Sequence, residues 1–320
     1  MAVPPRWYFK RKTQLQWLTA ALAGYILLTA FLVRTRQATV APAHSASAAL
    51  CRPEMEVNVL PPMSDDNATM FKDLFSYITQ PNSKTCGRVL RFGGMALMMR
   101  GMPPIEDGHK YVCVDDEFSI LRTDSCLVYS FGVSDDWSFD WDMESFGCMV
   151  YSFDPSINTT TGYQNGSIIF LQYGVGDRDY SAEHEWEIRT LDTFVERLKH
   201  AGRTIQYLKM DVENAEWQVL RQQVKRGRDS TLFKNVEQLG IELHFFRNPA
   251  TLENAAFYRE VYASFLGLQQ MGFYLFSYEP NLSEEPHTRI PGMDGKWPRA
   301  MEVVWLKTKC VNRPSGLEGT

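Results

Sequence analysis

Residues 126–155 read CLVYSFGVSDDWSFDWDMESFGCMVYSFDP, and this stretch decides the fold. Cys126–Phe131 and Cys148–Phe153 are short runs rich in β-branched and aromatic side chains, apolar on both faces, as strands of a helix-covered parallel sheet must be. Between them, residues 136–146 carry large apolar side chains within a longer segment that reads as a helix. The same alternation continues down the chain. Strands are expected at Ser167–Gln172, Ile205–Met210, Val236–Leu243, Phe273–Tyr278 and Ala300–Leu306, and helices at about 191–201, 215–225 and 252–271. Upstream, Met70, Phe71, Leu74, Phe75 and Ile78 recur at helical spacing behind a Ser64/Asp65 cap, and Pro81 ends that helix. The loop Glu279–Pro298 between the last two strands holds no helix, so that pair forms an antiparallel edge. The expected fold class is α/β: an open, doubly wound, seven-stranded sheet.

Ligands bind such sheets beyond the C-terminal strand ends, so the residues just past each strand are the candidates. Gly132, in the turn Ser130-Phe-Gly-Val-Ser-Asp135, lets the backbone bend sharply and approach a ligand. Asp154 follows the second strand, placed to accept hydrogen bonds from a ribose. Past the third strand come Gly174, Gly176 and Asp177; past the fourth come Asp211 and Glu213; His244 closes the fifth beside Glu242. Each has a plainer alternative. A lone glycine suits an ordinary strand-to-helix turn, Asp154-Pro155 can simply end a strand, and Glu213 and Glu216 can be acids drawn to a helix N-terminus. His244 can be a buried histidine bonded beside the sheet, or a base with an unperturbed pKa near neutrality. Asp211, Glu242 and His244 are also a set that can converge on a divalent cation, although the reading taken here has no metal.

The succession Cys148-Met-Val-Tyr-Ser-Phe-Asp-Pro155, Thr190-Leu-Asp-Thr193, Tyr207-Leu-Lys-Met-Asp-Val-Glu-Asn-Ala-Glu-Trp217 and Gly240-Ile-Glu-Leu-His244 resembles the blocks of class I methyltransferases of the FkbM-like type. With Phe131-Gly132 followed by Asp136-Trp-Ser-Phe139, the arrangement over about 86–309 is similar to the methyltransferase-like protein 24 group. The resemblance implies a Rossmann-like methyltransferase fold with S-adenosylmethionine as cofactor. It implies binding by the Phe131, Gly132 and Ser134 turn, the ribose held by Asp154, and the adenine near Gly176 and Asp177. Asp211 and Glu213, at the exit of the fourth strand, and His244, at the end of the fifth, are the catalytic candidates read from their positions, facing a methyl acceptor of unknown identity. One departure stands out: many class I methyltransferases carry acid-x-Gly-x-Gly-x-Gly where Ser130–Asp135 offers a single glycine. That leaves open a fold that binds without catalysing.

Leu15–Val33 contains no charged side chain and at about 1.5 Å per residue nearly spans a hydrocarbon core of roughly 30 Å. It reads as a single-pass, type II signal anchor, with residues 1–14 cytoplasmic, 34–64 a flexible Ala/Ser/Pro-rich stem and 65–320 a lumenal domain in the endoplasmic reticulum or Golgi. A cleaved signal peptide is the rival, and the product would then be secreted. Sequons at Asn67, Asn158, Asn165 and Asn281 suit that compartment as glycosylation sites. Six cysteines without a CxxC pair suit it as well, either as disulfides or, for Cys126 and Cys148, as buried thiols. Arg6, Lys10, Arg11, Lys12, Arg34 and Arg36 are unopposed by any acid in residues 1–36, which leaves the rest of the chain at −11 against −5 for the whole. An acidic body of that kind repels a phosphate backbone, so nucleic acid is not expected as a partner, while the membrane is. A lumenal glycosyltransferase is the second enzyme reading, through the triplets Asp140-Trp-Asp142 and Asp177-Arg-Asp179.

Overall fold

The computed structural model describes residues 57–98, 104–121, 126–158, 162, 164–181, 186–248, 254–281, 289–290, 293–294 and 297–307. The tail 1–14, the apolar run 15–33 and stem residues 34–56 lie outside the described residues, as do Cys51 and Cys310. Among the described residues, no helix is long and apolar enough to cross a membrane.

Among the described residues the central sheet has eight strands, numbered here in chain order: β1 (Leu127–Phe131), β2 (Met149–Phe153), β3 (Gln164–Asn165), β4 (Ile168–Leu171), β5 (Tyr207–Met210), β6 (Gln238–His244), β7 (Phe273–Pro280) and β8 (Ala300–Lys307). Their spatial order is β7-β8-β6-β5-β1-β2-β4-β3. All seven expected strands are present, and the short β3, antiparallel to β4, makes the eighth. β4, β2, β1, β5 and β6 run parallel, whereas β8 runs antiparallel between β6 and β7. Chain order changes direction between β1 and β5, so a crevice opens at their C-terminal ends.

Among the described residues, five α-helices pack on this sheet: α1 (Asn67–Thr79), α2 (Ser138–Phe146), α3 (Leu191–Arg197), α4 (Glu216–Arg226) and α5 (Ala255–Gln270). Side chains of a strand alternate between faces. Leu208, Leu239, Ile241, Met301 and Trp305 therefore meet α1, α3, α4 and α5 in one core, through Phe75, Phe194, Trp217 and Phe265 among others. Leu220 and Phe265 are completely buried there, and burial of a side chain of that size stabilises by roughly 1.5–3 kcal/mol. On the other face, Phe139 and Met143 of α2 cover Val128, Val150 and Ile168.

The rest of that second face is roofed by a ribbon that the sequence did not announce, Val89–Phe92 paired antiparallel with Lys110–Cys113. Gln238 of β6 anchors it from inside, since its amide accepts from Cys113 N at 2.8 Å and donates to Cys113 O at 2.8 Å. A disulfide from Cys86 to Cys113 closes the ribbon, and a second, Cys126 to Cys148, joins the lead-ins of β1 and β2. The buried-thiol alternative for Cys126 and Cys148 is thereby corrected.

Three further expectations change. The N-cap of α1 is Asp66, whose Oδ2 accepts from Thr69 N at 2.8 Å, rather than the Ser64/Asp65 pair. Packing begins before residue 64: Leu60 is buried and its N–H donates to Gln269 Oε1 at 2.9 Å, so the stem ends earlier than expected. Asn158 and Asn165 are exposed and Asn67 is partly exposed, but Asn281 is buried, with Nδ2 donating to Glu242 Oε1 at 2.6 Å and Asp107 Oδ1 at 3.2 Å. A glycan on that nitrogen is incompatible with this fold.

Candidate functional site

A cavity of about 450 Å³ occupies the crevice, walled by the exits of β1, β2 and β5, by Tyr173–Val175, and by Trp186 and Ile188. Gly132 shapes its floor. With φ at +75°, a Cβ there would lie 1.6 Å from the Asp211 carbonyl oxygen, so only glycine lets the β1 and β5 exits lie side by side. Its N–H donates to Phe153 O at 2.9 Å, and its carbonyl accepts from the buried Lys209 ammonium at 2.6 Å. Ser134 follows with φ at +49°, which turns its N–H onto Asp154 Oδ2 at 2.8 Å. Asp154 Oδ1 meanwhile accepts from Ser156 N at 2.8 Å and Ser156 Oγ at 2.6 Å. One carboxylate thus clamps the β1 and β2 turns together at the cavity wall, with lone pairs left for a ligand.

The β5 exit brings the acids. Burial disfavours the Asp211 carboxylate, but the charges of Lys209 and Lys110 outweigh it and hold its pKa below the ordinary value. Glu213 and Asn214 then take the left-handed region in succession, at φ +51° and +81°. Neither is glycine, and strain of about 1 kcal/mol or more per residue is characteristic of functional turns. Glu216, fully buried in the first turn of α4, accepts from His244 N at 2.9 Å and faces His244 Nδ1 at 3.3 Å. Burial alone would lower the His244 pKa, yet the Glu216 hydrogen bond and the charges of Glu216, Glu242 and Asp211 push it up to about 9. The acids around it favour a proton on the imidazole, which a base or a ligand there has to give up. Glu242 moves upward too, to about 9, through burial and then the charges of Asp211 and Glu302. As strand alternation required, His244 and Glu242 share a face.

Phe131, Gly132, Ser134, Asp154, Asp211 and Glu213 all line this one cavity. Gly176 and Asp177 are not among its lining residues, and neither is His244. Gly174–Val175 forms a short strand parallel to Glu187–Arg189 and takes the wall position instead. Gly176 packs against Ile188, whose Cγ2 would lie 2.8 Å from an added Cβ, and the Asp177 carbonyl accepts from Gln222 Nε2 at 2.9 Å. Sequence reasoning missed Tyr173, Trp186, Lys209 and Asp107 on the wall. Lys209, one cation inside a four-residue buried strand, was the signal available. The Asp-x-Asp triplets do not form ligand pairs. Asp140 is fully buried in α2, where the hydroxyls of Ser130 and Ser152 donate to it, and Asp142 accepts from Gly93 N at 2.7 Å. Asp179 accepts from Thr190 N at 2.8 Å and from the Thr193 hydroxyl.

Residues 61–291 match a family model described as a methyltransferase domain. A curated human protein (Homo sapiens) named "Probable methyltransferase-like protein 24" is 28% identical over 188 residues, covering 54% of this chain and 49% of that one. Its counterpart from Rattus norvegicus is 31% identical over 142 residues, covering 42% and 38%. The chain therefore spans about half or less of the curated relatives it matches. Among solved structures, a SAM-dependent methyltransferase from Agrobacterium tumefaciens aligns with a TM-score of 0.32 at 12% identity, covering 68% of this chain and 71% of that one.

Proposed function

We propose, on the premise that this chain belongs to the methyltransferase-domain family, that it transfers the methyl group of S-adenosylmethionine to an acceptor in the lumen of the secretory pathway. The observation that carries this reading is the convergence of Gly132, Ser134, Asp154 and Asp211 from three strand ends on one cavity.

The residues fit the cofactor. About 450 Å³ lies within the range of small-molecule sites, and the Gly132 turn is a cradle that any side chain would fill. Asp154 offers its remaining lone pairs to ribose hydroxyls, and Tyr173 and Trp186 offer flat faces for an adenine. When bound, the cofactor supplies an electrophilic sulfonium methyl open to in-line displacement. The chain's own task is alignment and exclusion of water. Asp211, ionised at neutral pH, meets the acceptor at the cavity floor.

The compartment and anchoring are part of the same proposal. Support comes from the uncharged run Leu15–Val33, from the two disulfides, which persist in oxidising compartments, and from the exposed sequons Asn158 and Asn165. Should the anchor be cut, the domain is secreted.

Calorimetry on the full-length chain with S-adenosylmethionine, set against a nucleotide sugar, tests the reading. Asp154→Ala should weaken the cofactor about tenfold, ~1.4 kcal/mol, the scale of one charge-assisted hydrogen bond. Binding of the nucleotide sugar alone would favour a glycosyltransferase. Cofactor binding without any methyl transfer to lumenal glycans, proteins or metabolites would favour a binding module on this fold.

A further inference from the structure

Past the cofactor cavity, four adjacent strands each place an acid in one row across the sheet. Asp211 leaves β5 next to Glu242 of β6, Glu242 stands directly opposite Glu302 of β8, and Glu302 directly opposite Glu279 of β7. Like charges directly opposite on neighbouring strands destabilise a sheet, and burial sharpens the cost. Three of the four have evident partners: Lys110 Nζ lies 2.5 Å from Glu302 Oε1, His109 Nε2 lies 2.5 Å from Glu279 Oε2, and Asn281 Nδ2 donates to Glu242 Oε1 at 2.6 Å, while the charges of Lys209 and Lys110 act on Asp211. At the Asp211 end the arrangement is different. One ligand atom each from Asp211, Glu242 and His244 lie within 4.8 Å of one another, and the same holds for Asp107, Glu242 and Glu302. Glu302 Oε2, a buried carboxylate oxygen of this cluster, accepts no hydrogen bond, and neither does Oε2 of the completely buried Glu216, which faces His244 Nδ1. Asp211 and Asp107 belong both to the cluster and to the cavity wall.

We propose that Asp211, Glu242 and His244 form a divalent-cation site at the inner end of the cavity, with Asp107 and Glu302 behind it, and that its open positions take a hydroxyl oxygen of the methyl acceptor. The cation part stands on the geometry of the cluster. The acceptor part rests on the methyltransferase reading above. Two carboxylates and one imidazole suit Mn2+ or a neighbouring divalent ion better than soft, thiolate-seeking metals. Such an ion would join Lys110 and Lys209 in balancing the acids of the row. It also selects the acceptor class, because a hard cation prefers oxygen and lowers the pKa of a bound hydroxyl. In the transfer, the acceptor oxygen–carbon bond forms as the carbon–sulfur bond of the sulfonium breaks. The electron pair stays on sulfur, and the hydroxyl proton leaves to water.

The test is a Mn2+ titration of the full-length chain followed by electron paramagnetic resonance, with S-adenosylmethionine calorimetry on the same samples. Expected are binding of about one equivalent of Mn2+ and a nitrogen coupling that disappears in His244→Ala. Glu242→Gln should weaken Mn2+ at least tenfold, since loss of an outer partner alone costs about 10–100-fold. Gln has the shape of Glu, and its amide oxygen can still accept from Asn281 Nδ2, so the variant's melting temperature should match the wild type and show that the fold survives. No Mn2+ binding at millimolar concentration, or Glu242→Gln binding as the wild type does, overturns the site. Cofactor binding without Mn2+ binding removes the cation and keeps the methyltransferase. Mn2+ binding without cofactor binding keeps the cation site and removes the proposed activity.

Discussion

Gly132 and Gly202 share a left-handed backbone, with φ at +75° and +77°, but not a neighbourhood. Alanine at Gly202 would find no atom within 4 Å, so Gly202→Ala should cost only the left-handed penalty of an L residue, about 1–2 kcal/mol. At Gly132 the added Cβ would sit 1.6 Å from Asp211 O, whereas real Cβ contacts stay beyond 3.0 Å. The β1 and β5 exits must therefore part by at least 1.4 Å, the difference of those two distances. That displacement strains the Gly132 N to Phe153 O bond at 2.9 Å, the Asp211 N to Phe131 O bond at 3.1 Å and the Lys209 contact to Gly132 O. Overpacking costs roughly 1–3 kcal/mol and each lost hydrogen bond about 1 kcal/mol, so Gly132→Ala should lose about 4 kcal/mol or more in total. Urea denaturation of the two variants beside the wild type reads the difference directly. A gap of at least about 2 kcal/mol is expected, with cofactor affinity lost only in Gly132→Ala. Equal losses would mean that the glycine serves its own dihedral angle and that the exits of β1 and β5 are not in the contact described.

His200 gives a pH dependence away from the site. It is buried with Nδ1 2.7 Å from the Tyr129 hydroxyl, and burial first, then the Arg203 charge, lowers its pKa from 6.5 to about 4. The unfolded chain therefore takes up a proton that the folded chain refuses. This contribution is complete above pH 6.5 and drains away as pH falls toward 4, by about 1.4 kcal/mol per pH unit. His200→Gln should flatten that acid limb in denaturation curves at pH 7, 6 and 5, and an unchanged slope would clear His200 of the role. Replacing Cys126 and Cys148 together by Ser opens a link across 22 residues and should cost about 3 kcal/mol in non-reducing denaturation. A stability equal to the wild type would mean the bond does not form. Peptide mapping of the chain expressed in a secretory host should find glycan at Asn158 or Asn165 and none at Asn281; an occupied Asn281 would contradict its burial against Glu242 and Asp107.

The parts of this molecule legible in its sequence are those whose cause is local. A parallel strand buried on both faces writes itself as a short apolar run, which is why β1, β2, β4, β5 and β6 could be placed within about two residues. Asp154 and Asp211 were legible for the same reason, since each stands one residue past such a run. The ribbon was not. Val89–Phe92 exposes three of its four residues, so it offers no apolar period, and what holds it in place is Gln238, more than a hundred residues away. Gly132 was legible as a turn, but its reason for being glycine belongs to the carbonyl of Asp211 on another strand.

Asp211, Glu242, Glu302 and Glu279 carry the same point furthest. In the sequence, each is an acid at or near the end of an apolar run, and each taken singly has an ordinary explanation as a turn residue or a helix-capping charge. They become a row only through register: β5 and β6 parallel, with Met210 beside Ile241, then β8 inverted so that Glu302 falls opposite Glu242, then β7 inverted again so that Glu279 falls opposite Glu302. A slip of one residue in β8 would turn Glu302 into the helical layer and put Val303 or Met301 among the acids. The antiparallel finish of the sheet, which from the sequence looked like a mere edge, is thus what delivers a third carboxylate to the inner end of the cavity. Lys110 arrives there from the unannounced ribbon, to face it at 2.5 Å. The chemistry at that end is a property of strand pairing, and disturbing the pairing of β8 should alter it even if every named side chain remains.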